Sequence, residues 1–359
     1  MKFLVISFAG IGDTIFATPL IHELRANFPK AEIDVFVRWR GSSDLLEGNP
    51  HVNAVHRRDL VGSGKLGSFK FLWNLRQRHY DVSLNTHPQS RVSYRAMARL
   101  IGADVRVSHE YDHAGPWDRL LINRSRPQDY QRHAVENNLG LLELIDCKPI
   151  LPRHEYELFL KPAEQQWAKA FMAEHQLEGR FRFGIHVGSG GTKNLALRRW
   201  PVENYLSLIQ RIGRENPGAA VLLFGGPDEE KEHERILSQT DRRKVLVVRS
   251  ANMRQAAAML GHCDAFLSVD TSLMHLAAAM KVPRQFVIET PSWNRPVEPY
   301  NRSFVLIKNP AVAGRNLNYY RYDGGGLRGT AKELVRCMES VSVTAVYDAT
   351  AGALAEGRR

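Results

Sequence analysis

Short runs rich in β-branched residues, each followed by a helical pattern, recur along the chain. "KFLVISFA" (residues 2–9), "AEIDVFV" (31–37) and "YDVSLNTH" (80–87) come first, and "FRFGIHVG", "AAVLLFGG", "KVLVV" and "AFLSVD" repeat the rhythm later. Strands separated by helices pair in parallel through right-handed crossovers, so the pattern predicts an α/β, doubly wound fold. The rhythm breaks at "CKPILPRHEYELFLKPAEQQ" (147–166), where three prolines fall among charged residues before a fresh series starts at Phe181. A chain of 359 residues is too long for one ordinary α/β domain. Two are expected, 1–160 and 161–330, followed over 331–359 by a helix at "AKELVRCMES" and a frayed tail at "ATAGALAEGRR". Two such domains facing each other leave a cleft at the carboxyl ends of their strands, so the site is expected to draw on turns from both.

Lys and Arg number 49 against 38 Asp and Glu, a balance that favours anionic partners: a phosphorylated ligand, anionic lipid or nucleic acid. No basic stripe with regularly placed aromatics is present, so no nucleic-acid partner is expected. Cys147, Cys263 and Cys337 are odd in number and far apart, without the spacing of a disulfide framework or a zinc site. A reducing, cytoplasmic setting fits. The opening "MKFLVISFAG" reads as a strand rather than a leader because Asp13 breaks the apolar region early. No apolar run approaches the roughly 18 residues of a membrane span, so any membrane association is expected to be peripheral.

The first strand runs into "GIGDTIFATPL" (10–20), and two readings of Asp13 stand at this point. As an N-cap it accepts from exposed helical N–H groups. Position 16, however, is Phe and not the Glu or Gln of a capping box. Thr18 and Pro19 make an N-cap and N1 pair of their own, so the regular helix is expected from Pro19. As a functional group, Asp13 is a carboxylate held at the cleft, with Gly10 and Gly12 permitting a sharp turn and close approach of a ligand. A dinucleotide fingerprint would need a third glycine where Ile15 stands and an acid at the end of the second strand, where Asp34 instead lies inside it. An NAD-dependent dehydrogenase is therefore not favoured.

In "VDTSLMHLAAAMKVP" (269–283) a strand ends at Val269 and an alanine-rich helix starts near Ser272. Asp270, Thr271 and Ser272 thus fall at a helix N-terminus, where N–H groups and the positive end of the dipole bind phosphate. The Thr271 and Ser272 hydroxyls add two donors, and His275 lies one turn deeper on the same side. A capped core helix with an incidental histidine gives the same pattern. "FGGPDEE" (224–230) ends a buried strand at Gly225 and Gly226, which admit a ribose or base. Glu229 or Glu230 then accepts from ribose hydroxyls or merely complements the dipole of its helix. "GSGGTKNLALRRWP" (188–201) joins glycines to Lys193, Arg198 and Arg199, a composition suited to wrapping a diphosphate or to a solvated basic loop.

In this order and spacing, "GIGDTIFATPL", "RRWPVENY", "FGGPDEE" and "VDTSLMHLAAAMKVP" resemble the ADP-heptose:lipopolysaccharide heptosyltransferases of glycosyltransferase family 9, over most of residues 1–310. "RHAVENNLGLLELI" (132–145) is similar to the family's helix before the interdomain crossing. The resemblance implies a GT-B fold of two Rossmann-like domains, an N-terminal one for the acceptor and a C-terminal one for the nucleotide sugar, and an inverting transfer. It makes Asp13 the general base for the acceptor hydroxyl. A carboxylate at a helix N-terminus is a weak base, so exclusion of water on binding has to strengthen it. It also places Asp270, Thr271, Ser272 and His275 at the diphosphate and Glu229 near the ribose. Ser272 stands where glycine is more usual, and Arg198 where the family usually carries a lysine before Trp200 and Pro201. No DxD motif accompanies the diphosphate turn, so no obligatory metal or cofactor is inferred; the nucleotide sugar is a co-substrate.

The chain departs from the family after "RQFVIE", where "TPSWNRPVEPY" and later "NYYRYDGGGLRG" replace a short Gly-Pro-Thr-type turn. Trp293 in the first of these either stacks on a base or sugar or anchors the loop. With a lipid-anchored saccharide as acceptor, the protein is expected at the cytoplasmic face of the inner membrane. "FKFLWNLRQRHY" (69–80) interleaves apolar and basic residues as an interfacial helix does, and as a crossover helix packed on its sheet also does. The alternative function is a family 9 enzyme that uses another nucleotide sugar or acceptor.

Overall fold

The computed structural model describes residues 1–60, 62, 64–112, 114–190, 195–291, 295–312 and 330–356. It divides into two compact units, one built on Met1–Phe159 with Arg295–Tyr300 added, the other on Leu160–Asn294 and the described residues after Tyr300. Each is organised on one parallel sheet. The first holds β1 (Lys2–Ser7), β2 (Glu32–Val37), β3 (Ala54–Arg57), β4 (Val82–Asn85), β5 (Val105–Glu110) and β6 (Arg124–Pro127), in the order β3-β2-β1-β4-β5-β6. The second holds β7 (Arg182–His186), β8 (Ala220–Phe224), β9 (Val245–Val247), β10 (Ala265–Ser268), β11 (Arg284–Ile288) and β12 (Val305–Ile307), in the order β12-β11-β10-β7-β8-β9. Read from its other edge, the second order repeats the first. Winding reverses between β1 and β4 in one unit and between β7 and β10 in the other, which makes two topological switch points, the places where such sheets bind ligands.

The central strands are apolar on both faces, as strands covered by helices must be; Phe3, Leu4, Val5 and Ile6 are fully buried. Asp34 is the exception, a carboxylate inside β2 with no exposure. Tyr80 donates to its Oδ2 at 2.6 Å, and His56 Nε2 and Arg78 Nε stand at 2.9 and 3.1 Å. Burial pushes the Asp34 carboxyl up, but the His56 and Tyr80 hydrogen bonds and the Arg78 charge outweigh it and the net direction is down. The acid that fails to match a ribose ligand is therefore a buried anchor for the edge of the sheet.

The Ile11–Asn27 helix begins at Ile11, not at Pro19. Pro19 lies within it and has no N–H to offer Ile15; the Thr18 hydroxyl donates to that carbonyl instead, at 2.8 Å. The expected frayed tail is also corrected. Val343–Glu356 is a helix whose Val346, Tyr347, Ala353 and Leu354 belong to the second unit's core. Trp200, 1% exposed, donates from Nε1 to Val341 O at 2.8 Å and ties this C-terminal segment down.

In the Lys65–Arg76 helix, Leu72 and Leu75 face the core while Leu66, Phe69 and Trp73 are 83%, 54% and 51% exposed. The segment is a crossover helix with one side on the core, and its other side leaves three large apolar side chains exposed. No helix among the described residues is long and apolar enough to cross a membrane.

Candidate active site

At the first unit's switch point, β1 passes through Phe8, Ala9 and Gly10 into the Ile11–Asn27 helix. Gly10 is the N-cap and Asp13 the third helical residue; the Asp13 Oδ2 accepts the Gly10 N–H at 2.6 Å. Asp13 is therefore not the N-cap that the sequence suggested: it is the third helical residue and reaches back to the cap from inside the helix. Gly10 is extended, φ −120°, so it is not required for its dihedral. A Cβ there would lie 2.7 Å from Asp13 Oδ2, so a side chain would push that carboxylate off the Gly10 N–H. Gly12 sits in the first helical turn, half-buried.

Beside this turn, beyond the carboxyl end of β5, lies a cavity of about 470 Å³ lined by Arg95, His109, Tyr111, Asp118 and Arg119 among others. Arg95 is 2% exposed, pairs with Asp118 at 2.8 Å and lies over the Tyr111 ring. Burial first, and in smaller part the Asp13 carboxylate, push the Tyr111 phenol up, so the cavity wall feels the Asp13 charge. None of these residues stood out in the sequence, although the rule that ligands bind beyond strand ends points to β5 as well as β1.

The second unit's switch point brings the turns after β7 and β10 together. Arg198, from the short turn Leu195–Arg198, sets Nη1 3.2 Å from Asp270 Oδ2. Burial raises the Asp270 carboxyl pKa and the Arg198 charge opposes it, with the net direction up. Thr271 caps the Ser272–Ala279 helix by accepting the Met274 N–H, and its Oγ1 is 3.1 Å from His186 Nδ1. Burial pushes the His186 imidazole down to about 3. The Thr271 hydroxyl and that ring share one hydrogen bond, in which the tautomer of the ring decides the donor. Ser272 is half-buried at the first helical position and His275 is 4% exposed one turn on. The N–H groups of the first turn, the positive end of the dipole and the Arg198 guanidinium converge on one spot, a set of donors suited to a diphosphate.

The Gly225–Gly226 turn after β8 separates the two acids that the sequence left open. Glu229, 6% exposed, takes the Gly226 N–H at 2.9 Å and pairs with Arg199 at 3.1 Å. Arg199 also donates to Ser189 O and Glu232. Burial, ahead of its hydrogen bond and partner charge, raises the Glu229 carboxyl. Glu229 therefore holds the turn. Glu230 instead lines a cavity of about 270 Å³ with Gly225, Gly226, His233, Val247 and Arg249, beyond the carboxyl ends of β8 and β9. His233 and Arg249 were not singled out in the sequence; their only signal is position after those strands. Lys193 and Trp293, and with them the loop 318–329, lie outside the described residues.

Two parallel sheets wound alike, one presenting a carboxylate at its switch point and the other a diphosphate-type turn, are the architecture of a GT-B glycosyltransferase. Solved structures agree over nearly the whole chain. The glycosyl transferase family 9 protein of Veillonella parvula superposes with a TM-score of 0.76 at 19% identity, covering 99% of this chain and 97% of that one. E. coli heptosyltransferase WaaC with ADP gives 0.71 at 18% identity, covering 98% and 100%. In sequence, lipopolysaccharide heptosyltransferase 3 of E. coli K12 is 24% identical over 281 residues, 76% of this chain and 78% of that protein. Residues 68–312, more than half the chain, match glycosyltransferase family 9 (heptosyltransferase), and the chain belongs to that family.

Proposed function

We propose that this enzyme transfers heptose from ADP-heptose to a saccharide of the lipopolysaccharide core, with inversion at the anomeric carbon. The observation that carries the reading is the Arg198–Asp270 pair at the start of the Ser272–Ala279 helix. A guanidinium held there neutralises the charge that builds on the leaving diphosphate as the glycosidic bond breaks. The adjoining cavity at Gly225, Gly226 and Glu230 has room for the nucleoside end. Asp13 takes the proton of the acceptor hydroxyl as that oxygen attacks the anomeric carbon opposite the departing ADP. The proton ends on Asp13, and the electron pair of the broken bond leaves on ADP. Ser272 and His275 border the donor, and the cavity at Arg95 and Arg119 supplies cations for an anionic acceptor.

Thermal shift with ADP, UDP, GDP and NAD at equal concentration tests the donor, because a ligand that binds only the folded state raises its stability. ADP is expected to give the largest rise. A preference for UDP or GDP would keep the transfer and discard ADP-heptose, and a response to NAD alone would overturn the reading.

The lipid-anchored acceptor places the enzyme at the cytoplasmic face of the inner membrane, touching it peripherally through Leu66, Phe69 and Trp73. Phe69 and Trp73 stack at 6.2 Å, and the exposed Lys70 and Arg76 flank them. Apolar side chains framed by cations suit an anionic interface. Co-sedimentation with anionic vesicles is expected, and Trp73→Glu should remove it; equal sedimentation of the variant would refute this contact.

A further inference from the structure

Away from both switch points, His22, His51 and Glu157 bring two imidazoles and a carboxylate together in the first unit. His22 is in the Ile11–Asn27 helix, roughly 13 Å along it from Asp13 at 1.5 Å per residue. His51 lies in the connection leading to β3, and Glu157 in the segment that leaves the unit. Glu157 Oε1 is 2.6 Å from His22 Nδ1, and Oε2 is 3.5 Å from His51 Nε2. One ligating atom from each residue lies within 4.8 Å of the others. Glu157 Oε2 is buried and has no hydrogen-bond partner. The transfer chemistry uses none of the three.

The surrounding frame is already built. Glu23, with no exposure, accepts the Ile150 and Leu151 N–H groups at 2.9 and 2.8 Å, and Thr18 Oγ1 accepts the Glu157 N–H at 3.1 Å. Arg25 spends its guanidinium on the carbonyls of Pro29, Ala31 and His51 and on Asn53 Oδ1, so it fixes the His51 backbone and leaves the ring to the cluster. Zinc bonds of about 2.0–2.2 Å put tetrahedral ligands roughly 3.4 Å apart; the 3.5 Å separation meets that spacing, and the 2.6 Å hydrogen bond has to open to it. The two rings stack at 3.9 Å and 13°, so they have to turn out of parallel to aim at a shared ion.

We propose that His22, His51 and Glu157 form a binding site for one divalent transition cation of the zinc type, with water as fourth ligand. Two imidazole nitrogens and one carboxylate oxygen suit zinc, whereas calcium and magnesium prefer oxygen alone. The ion displaces the proton shared by His22 Nδ1 and Glu157 Oε1 into solvent, satisfies Glu157 Oε2 and clamps the outgoing segment to the helix. The wide separation of the three residues in sequence hides this set from any spacing rule.

The full-length protein, stripped with a chelator, is titrated with zinc chloride against a chromophoric zinc indicator while its melting temperature is followed. One zinc per chain and a higher Tm are expected. His51→Gln and Glu157→Gln should each weaken binding at least about 100-fold, and His79→Gln, an exposed histidine elsewhere, should not. Equal affinity in the wild type and in the His22→Gln/His51→Gln double variant would overturn the site. Cobalt(II) loading of the wild type needs no variant to fold: an intense visible band of four-coordinate cobalt supports the site, and the weak spectrum of six-coordinate cobalt refutes it.

Discussion

Asp13→Asn lowers turnover by about 10²- to 10⁴-fold, the usual contribution of a positioned general base, and leaves ADP affinity unchanged. Asparagine is the informative replacement because its carbonyl oxygen still accepts the Gly10 N–H that Asp13 Oδ2 takes at 2.6 Å. The helix start survives, and only the capacity to accept a proton is lost. Alanine would remove the cap as well, at about 1 kcal/mol, and mix the two effects. Steady-state rates with ADP-heptose and a core acceptor, read beside the ADP thermal shift, separate the roles. An Asp13→Asn enzyme that turns over normally would leave Asp13 a capping residue and nothing more.

Arg198→Ala weakens ADP binding by roughly 1.5–3 kcal/mol, the range for a hydrogen bond to a charged group, or about ten- to hundredfold. It lowers turnover further, because charge on the diphosphate grows as the bond breaks. Loss of the guanidinium also leaves Asp270 without its partner at 3.2 Å, next to the incoming anion. Arg198→Lys keeps a point charge and is expected to recover most of the affinity, in line with the lysine usual at this place in the family. Isothermal titration with ADP measures both variants. If Arg198→Ala bound ADP as the wild type does, the pair with Asp270 would be purely structural and the diphosphate would lie elsewhere.

The central strands were legible because strands buried on both faces are continuous apolar runs. The edges were not: β6 is "RSRP", with arginines and a proline that only an edge tolerates, and its pairing with β5 decides its state. The Ile11–Asn27 helix was expected late, from Pro19, because its true N-cap is Gly10, a glycine with no side chain to betray the cap, and Asp13 closes the box from the other end. Thr18 and Pro19 looked like a beginning, and their hydroxyl-for-amide exchange at Ile15 shows how a proline is accommodated mid-helix. "ATAGALAEGRR" looked frayed because it is terminal, yet its alanines, leucine and glutamate favour helix and burial of Ala353 and Leu354 secures it. The turn before the Ser272–Ala279 helix was visible because helix starts have a local signature. The cavity at Arg95 was not, nor that Glu229 turns inward to Gly226 and Arg199 while Glu230 lines a cavity, since both depend on which way a side chain turns.

The strip Arg295–Tyr300 carries a lesson about modularity. It belongs with Met1–Phe159, where His133 Nε2 meets Glu298 O at 2.9 Å and Tyr300 donates to Glu136. The polypeptide therefore leaves the first unit, builds most of the second, and returns to finish the first. A gene fragment cut at the proline-rich stretch encodes an unfinished fold, and recombination between relatives at that single junction pairs each first unit with a foreign strip. Exchange of the first unit as a whole therefore needs more than one crossover, because its strip lies inside the sequence of the second.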